Sequence, residues 1–290
     1  MKMAFTLDDL PLWPMSYPPA GYTVAGMVDA IIMALDRHKI RGVYAFANSW
    51  SLLKHPEFKT IIESWTAAGH HVANHTHSHI ELNDVSVEAY IKDIELGESH
   101  LSRWLAKAPQ LYFRHPLCYW GDTREKRDAV RSHLSDRGYR TVDVTSWLYE
   151  WRWNRAYRNC LERNDDEGRT SLGQSFLKFS LAQLAYDDLC ARNWFGHDVV
   201  GITVGHPVPF FADIADEFFS TLIHAGVDFV SLGEAMNDAT YAQVASVPTG
   251  KFLVLQQKLA EVAGKPFAMI EPHSQGLFDE ITELGVGQTG

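Results

Sequence analysis

The chain has 290 residues, 46% hydrophobic and 21% charged, a composition typical of a globular protein with one large domain or two small ones. Its net charge of −10, with no basic run to offset it, argues against nucleic acid as a partner. Three scattered cysteines exclude a disulfide framework and fit a reducing compartment. We find no signal peptide and no run of 18 apolar residues, so we expect a cytoplasmic protein without a membrane partner; a removed signal stays open as an alternative.

Short apolar strands alternate with helical patterns through the first half of the chain. Strands are predicted at 3–7, 42–47, 71–74, 111–114 and 139–144, and helices at 23–38, 56–68, 86–106 and 123–137. The loop over 10–22 contains four prolines and three aromatic residues, and it is long enough to reach over a functional site.

The alternation is interrupted by a helical insertion at about 152–195 and then resumes with a strand at 199–204, a helix at 213–225 and a strand at 227–230. Strands joined by helices of this length pair in parallel through right-handed crossovers. Seven such units favour a closed or nearly closed barrel, with an open sheet as the alternative. We assign residues 1–246 to this barrel. Residues 247–290 form a C-terminal tail with an amphipathic helix at 251–263, which covers an edge of the fold or supports a homo-oligomer.

Polar clusters follow five of the predicted strands. They contain Asp8 and Asp9, His75 and His79, Arg114 and His115, Asp143 and Trp147, and His206. Each cluster alone has a structural interpretation, such as a helix cap or a histidine-rich turn bonded to the backbone. In a parallel barrel, however, the loops at the carboxyl ends of the strands converge. Because all five clusters fall at that rim, and a turn after His75 would aim His75 and His79 at one point, we predict a functional site there.

In this order, the segments at 6–9, 75–79, 113–116, 143–147 and 204–206 resemble the five motifs of the polysaccharide deacetylases, carbohydrate esterase family 4. The resemblance covers about residues 3–232 and implies an α/β fold, a distorted seven-stranded (β/α) barrel. It also implies one divalent metal, zinc first and Co²⁺, Ni²⁺ or Mn²⁺ as alternatives, held by Asp9, His75 and His79. The family pattern further implies that Asp8 is the general base, that His206 is the general acid, and that the backbone N–H of Leu117 binds the oxyanion.

The chemistry of an amide explains why those groups are needed. A bound divalent metal makes water a better nucleophile and polarises the amide carbonyl. Asp8, beside Asp9, can accept a proton, and Arg114 can pair with Asp8 to keep it ionised and oriented. A protonated His206 can donate to the leaving amine.

The sequence departs from the family pattern at Ser146, where the family has an aspartate that orients the acid histidine. We therefore expect another acid to orient His206, with Asp143 as the first choice and Asp213 as the second. Cys118 is expected to be a small packed residue and not a nucleophile.

Aromatic residues are expected to narrow the site into a pocket that accepts sugar rings or flat organic amides. We assign Trp13, His115, Leu117, Tyr119 and Trp147 to the oxyanion and substrate-binding surface. We predict a metal-dependent hydrolase that removes an N-acyl group, N-acetyl first, from a small amide or amino sugar. A polysaccharide or oligosaccharide deacetylase and a non-catalytic metal-binding barrel are the alternatives, although a pure binder needs neither Asp8 nor His206.

Overall fold

The computed structural model describes residues 1–13, 17–246 and 252–286. The centre of the loop predicted at 10–22, the proposed boundary at 246/247 and the first residue of the predicted tail helix lie outside these ranges. The strands are β1 Lys2–Leu10, β2 Tyr44–Ala47, β3 His71–Asn74, β4 Tyr112–Phe113, β5 Arg140–Thr141, β6 Ser146–Trp147, β7 Gly201–Gly205 and β8 Asp228–Phe229.

Helices connect these strands and continue into the C-terminal tail. They are α1 Val24–Arg37, α2 Trp50–Lys54, α3 Lys59–Ala67, α4 Val87–Leu105, α5 Arg124–Asp136, α6 Glu150–Arg163, α7 Asp166–Phe195, α8 Pro209–His224, α9 Leu232–Ala235, α10 Leu255–Val262 and α11 Leu277–Val286. Single turns of 3₁₀ helix occur at Pro56–Phe58, Leu82–Asp84, Pro116–Cys118 and Pro272–Ser274, and a longer 3₁₀ segment spans Ala239–Ser246.

All strand pairs are parallel, and the order across the sheet is β5-β4-β3-β2-β1-β7-β6, with β8 paired to the start of β1. The strand predicted at 139–144 is in fact a bent run that passes from β4 to β7. Val142 N–H donates to Phe113 O at 2.8 Å, whereas Thr145 N–H donates to Ile202 O at 2.9 Å. Because β5 and β6 are two halves of one bent strand, the eight strands of the described residues occupy seven positions around the sheet. This confirms the predicted distorted seven-stranded (β/α) barrel.

The central strand, β1, positions the site. It pairs with β2 on one side and β7 on the other, and all of its residues after Lys2 are buried. Helices cover the outside of the barrel. Helix α1, for example, follows the Thr23 cap, whose side chain accepts from Gly26 N–H, and buries an apolar face in the hydrophobic core. The carboxyl end of β1 therefore lies in the middle of the rim.

The predicted insertion at 152–195 corresponds to α6 and α7, which pack against each other. The tail helix is shorter than predicted and docks on the bent run. Leu255 N–H donates to Val144 O at 2.9 Å, and Gln256 Nε2 donates to Thr145 O at 2.7 Å. The tail thus supplies partners to backbone groups that the bend leaves without a strand neighbour. The domain boundary and a homo-oligomer through the tail stay predictions.

Among the described residues, no helix combines the length and the apolar character that crossing a membrane requires.

Candidate active site

Asp9, His75 and His79 lie together at the rim, and one ligand atom from each falls within 4.8 Å of the others. Adjacent residues of a regular strand face opposite ways, but Asp9 is the extra residue of a bulge between Asp8 and Leu10 and has a φ of +61°. This left-handed backbone turns both carboxylates toward the site. His79, with a φ of +57°, is turned back toward His75 in the same way.

The three side chains fit a small divalent metal. Asp9 Oδ1 is 3.5 Å from His79 Nε2 and 3.8 Å from His75 Nε2, close to the ~3.3 Å between ligands of a tetrahedral zinc. His75 Nδ1 donates to the carbonyl of Arg114 at 2.8 Å, which leaves the lone pair of Nε2 aimed at the site. Burial lowers the pKa of His75 to about 3 and so keeps the imidazole neutral, as a metal ligand must be.

Asn48 is part of this centre and was missed by sequence reasoning. Its Nδ2 donates to Asp9 Oδ1 at 2.8 Å, and its side chain is fully buried directly after β2. Its position at the end of a strand was the only available signal. The bond fixes the orientation of the Asp9 carboxylate.

Asp8 and Arg114 form the predicted pair. Arg114 Nη1 lies 2.6 Å from Asp8 Oδ1 and also donates to Thr6 Oγ1 at 2.9 Å. Both charged side chains are buried, and the guanidinium lies 4.1 Å from the centre of the Phe46 ring. The second oxygen, Asp8 Oδ2, is 3.7 Å from His75 Nε2. This carboxylate therefore borders the candidate metal ligands Asp9, His75 and His79, which we call the metal cradle.

His206 faces the cradle from β7, with its Nε2 3.9 Å from Asp9 Oδ2. Its Nδ1 forms a short hydrogen bond with the buried carboxylate of Glu150. Burial lowers the pKa of His206, but the carboxylates of Glu150, Asp9 and Asp8 outweigh it and raise the pKa to about 9. The site therefore favours the imidazolium form.

Glu150 corrects the prediction that Asp143 or Asp213 orients His206. Asp143 is bonded instead by Lys258 Nζ at 2.6 Å and by the N–H of Val144 at 2.8 Å. Asp213 accepts from two tyrosine hydroxyls outside the pocket. Glu150 was missed because it lies beyond the strand, at the first position of α6. The left-handed backbone of Tyr149, whose φ is +56°, turns the chain so that the Glu150 side chain faces His206.

Ser146, at the position of the missing carboxylate, has a different partner. Its hydroxyl donates to Asp187 Oδ2 at 2.6 Å, and Gln183 donates to Asp187 Oδ1 at 3.0 Å. Burial raises the pKa of Asp187 to about 7, and the hydrogen bonds from Ser146 and Gln183 only partly offset this. Ser146 thus ties the bent run to α7.

The cradle forms the floor of a pocket of about 360 Å³ with mainly apolar walls. Four of the five predicted substrate-binding residues line it: Trp13, Leu117, Tyr119 and Trp147. The walls also include Trp151, Val208 and Phe252. The last comes from the tail, and its ring lies 4.1 Å from that of Trp147.

His115, the fifth predicted residue, does not line this pocket. It is buried behind the turn, its Nδ1 pairs with the hydroxyl of Tyr90 at 2.9 Å, and burial lowers its pKa to about 3. His77 also faces away from the cradle, toward Ser49 Oγ at 2.7 Å. Burial raises the pKa of the Cys118 thiol, which is consistent with the predicted packing role.

Comparison with known families gives one match. The family described as polysaccharide deacetylase matches residues 2–142, just under half of the chain. This range contains the metal cradle and the Asp8–Arg114 pair but not Glu150 or His206. No curated protein sequence matches the chain.

Solved structures with this fold include a peptidoglycan N-acetylglucosamine deacetylase (18% identity, TM-score 0.52), matched over 81% of this chain and 87% of that one. A pseudoenzyme of family CE4 from Bacillus anthracis is 14% identical (TM-score 0.52), over 81% of this chain and 65% of that one. A peptidoglycan deacetylase from Bacillus subtilis is 17% identical (TM-score 0.50), over 83% and 95%. At these identities the likeness establishes the fold and not the activity.

Proposed function

We propose, from the match of residues 2–142 to the polysaccharide deacetylase family, that the chain is a metal-dependent hydrolase. The reaction is removal of an N-acyl group, in the first place an acetyl group, from a small amide or amino sugar. The observation that carries the proposal is the arrangement of three groups around one pocket. The metal cradle forms the floor, and the Asp8–Arg114 and His206–Glu150 pairs border it.

The cradle would hold one divalent metal, with zinc the first choice, through Asp9, His75 and His79. When bound, the metal would make water nucleophilic and polarise the amide carbonyl. All other steps belong to the chain's own residues. Asp8, which is oriented by its ion pair with Arg114, accepts a proton from the attacking water.

Two further groups complete the reaction. We assign the N–H of Leu117, in the turn that lines the pocket, to the developing oxyanion. His206 donates the proton from Nε2 to the leaving nitrogen, because its Nδ1 proton is bonded to Glu150. Glu150 favours the charged imidazole and fixes its ring, which is the task that the family assigns to the aspartate missing at Ser146.

The pocket walls support a small substrate over a polymer. Five aromatic side chains (Trp13, Tyr119, Trp147, Trp151 and Phe252) surround the cradle, and its polar groups are concentrated at the floor. A long glycan exposes many hydroxyl groups, each of which needs a polar partner when it is buried. Flat apolar walls suit an acyl group or a single ring.

Deacetylation of a peptidoglycan or another glycan is the second candidate. It is favoured by two of the similar structures, which are those of peptidoglycan deacetylases. A non-catalytic role is the third, because one neighbour is described as a pseudoenzyme. The cytoplasmic location expected from the sequence stays a prediction.

Acetate release from a panel of substrates tests the proposal. The metal-loaded protein would be assayed on N-acetylated amino acids, acetanilide, N-acetylglucosamine, chitooligosaccharides and peptidoglycan. We expect turnover on one or more of the small compounds. Turnover only on the glycans would replace our proposal with the second candidate, and metal binding without any turnover would indicate the third.

A further inference from the structure

Lys258 of α10 lies in the interior of the protein, where a charged side chain needs partners. Neither its side chain nor that of Asp143 is exposed to solvent (0% each). Its Nζ donates to Asp143 Oδ2 at 2.6 Å and to the carbonyl of Cys118 at 2.8 Å, and it lies 3.9 Å from the centre of the Trp120 ring. The three N–H donors of the ammonium group are thus matched by two acceptors and one ring face.

The carbonyl that Lys258 binds belongs to an unusual turn. Leu117 and Cys118 have φ angles of +54° and +56°, so two consecutive side chains other than glycine adopt the left-handed conformation. A residue with a side chain is strained in this conformation, which persists only where its surroundings impose it. Two backbone bonds close the turn, from Cys118 N–H to His115 O at 2.9 Å and from Tyr119 N–H to Pro116 O at 3.1 Å. Lys258 supplies the third restraint, from below.

Stability alone does not account for a buried lysine here. A buried ion pair usually contributes no more than well-packed apolar residues of similar volume, because both charges must leave water. The docking of α10 on the bent run already has its own bonds, from Leu255 N–H and Gln256 Nε2. What the ammonium group adds is the bond to Cys118 O, which joins the tail to the turn that lines the pocket.

We propose that Lys258 is a positioning residue that holds the turn of Leu117 and Cys118 in its left-handed conformation and so keeps the Leu117 N–H aimed at the oxyanion. Asp143 in turn holds the ammonium group, and thus acts on this turn and not on His206. This inference rests on the proposed function, which assigns the oxyanion to Leu117. It also makes the C-terminal tail part of the active site, beneath the turn through Lys258 and in the pocket wall through Phe252.

The test uses two variants of the full-length, metal-loaded protein. Lys258→Met removes the charge and keeps the length of the side chain. Because it leaves Asp143 as an unpaired buried carboxylate, which destabilises the fold, the double variant Lys258→Met/Asp143→Asn removes both charges and carries the test if the single variant does not fold. Lys265→Met, at an exposed lysine of the same tail, is the matched control.

The expected result is a loss of kcat of about 10- to 100-fold in the double variant, with an unchanged KM and metal content. An interaction made mainly in the transition state lowers kcat and kcat/KM together, and complete removal of one oxyanion donor costs roughly 100- to 1,000-fold. A purely structural role would lower the melting temperature but leave the kcat of the folded, metal-loaded protein unchanged. Amide hydrogen exchange in a peptide over 115–120 should become faster in the double variant and stay unchanged in Lys265→Met.

The two measurements separate this inference from the proposed function. If the wild type releases acetate and the double variant has a kcat within about twofold of it, the inference about Lys258 is overturned and the proposed function stands. If the wild type hydrolyses none of the amides, the proposed function fails, and hydrogen exchange alone decides whether Lys258 holds the turn. Unchanged exchange over 115–120 would then overturn that as well.

Discussion

At the residue scale, the site differs from its predicted form in the partner of His206. The pairing of Asp8 with Arg114 was predictable, since both follow strands of one barrel and have opposite charges. Glu150 was not predictable, because its direction depends on the left-handed backbone of Tyr149, just before α6. Hydrophobic periodicity does not reveal such a turn. The sequence predicted that an acid orients His206, but assigned this role to Asp143 or Asp213 and not to Glu150.

Replacing Glu150 tests its effect on the acid. His206 must be protonated to donate, and Glu150 helps to raise its pKa, so Glu150→Gln should lower that pKa. The basic limb of the pH–rate profile should then move to lower pH, with the metal content unchanged. Glu162→Gln, at an exposed position of the same helix, should leave the profile unchanged. A profile for Glu150→Gln identical to that of the wild type would remove Glu150 from the acid's environment.

At the scale of elements, the order and type of most strands and helices were predictable, because apolar strands alternate with amphipathic helices through the barrel. The bend between β5 and β6 was not predictable. It depends on which neighbour each half of the run pairs with, β4 or β7, and this pairing is a property of the closed sheet. The bend also explains why a tail helix and Asp187 of α7 contact the same run.

Asp187 gives a prediction for stability against pH. Its pKa is raised from 3.8 to about 7 in the folded protein, so folding takes up a proton between these values. The free energy of unfolding should therefore contain a contribution that falls as the pH rises from about 4 to about 7. Asp187→Asn should remove this decrease, so the stability of the variant relative to the wild type should rise between about pH 4 and about pH 7.

Urea unfolding at several pH values measures this effect. Asp198→Asn, at an exposed carboxylate whose side chain is 91% accessible, is the matched control and should follow the wild type. If the free energy of unfolding changed with pH in the same way for Asp187→Asn and the wild type, the Asp187 carboxyl would be ionised in the folded protein across this range.

At the scale of the whole molecule, the barrel and the rim that carries the site were predictable from the spacing of polar clusters after strands. The role of the tail was not predictable, because Phe252 and Lys258 contact residues that are distant in sequence, Trp147 and Cys118. Such contacts follow from packing, and the amphipathic pattern of one helix does not identify its docking surface. The result is a pocket whose wall combines the N-terminal loop, the insertion and the tail.

This composite wall predicts size selectivity. The Trp151 ring lies 5.5 Å from Trp147, 5.7 Å from Phe252 and 6.1 Å from His206, centre to centre. Trp151→Ala should raise KM for a small N-acetyl substrate by about 10- to 100-fold, the effect of losing roughly 2 kcal/mol of apolar contact. It should also improve the relative rate on chitooligosaccharides by opening the wall. Trp194→Ala, at a half-buried tryptophan outside the pocket, is the control.

The central claim is that Asp8 moves a proton at a metal site formed by Asp9, His75 and His79. The most direct test measures metal content and amide turnover together in Asp8→Asn and His79→Ala. Asp8→Asn should retain about one metal per chain and lose about two to four orders of magnitude of turnover, whereas His79→Ala should lose metal and turnover together. Near-normal turnover in Asp8→Asn, or full metal occupancy in His79→Ala, would contradict the account.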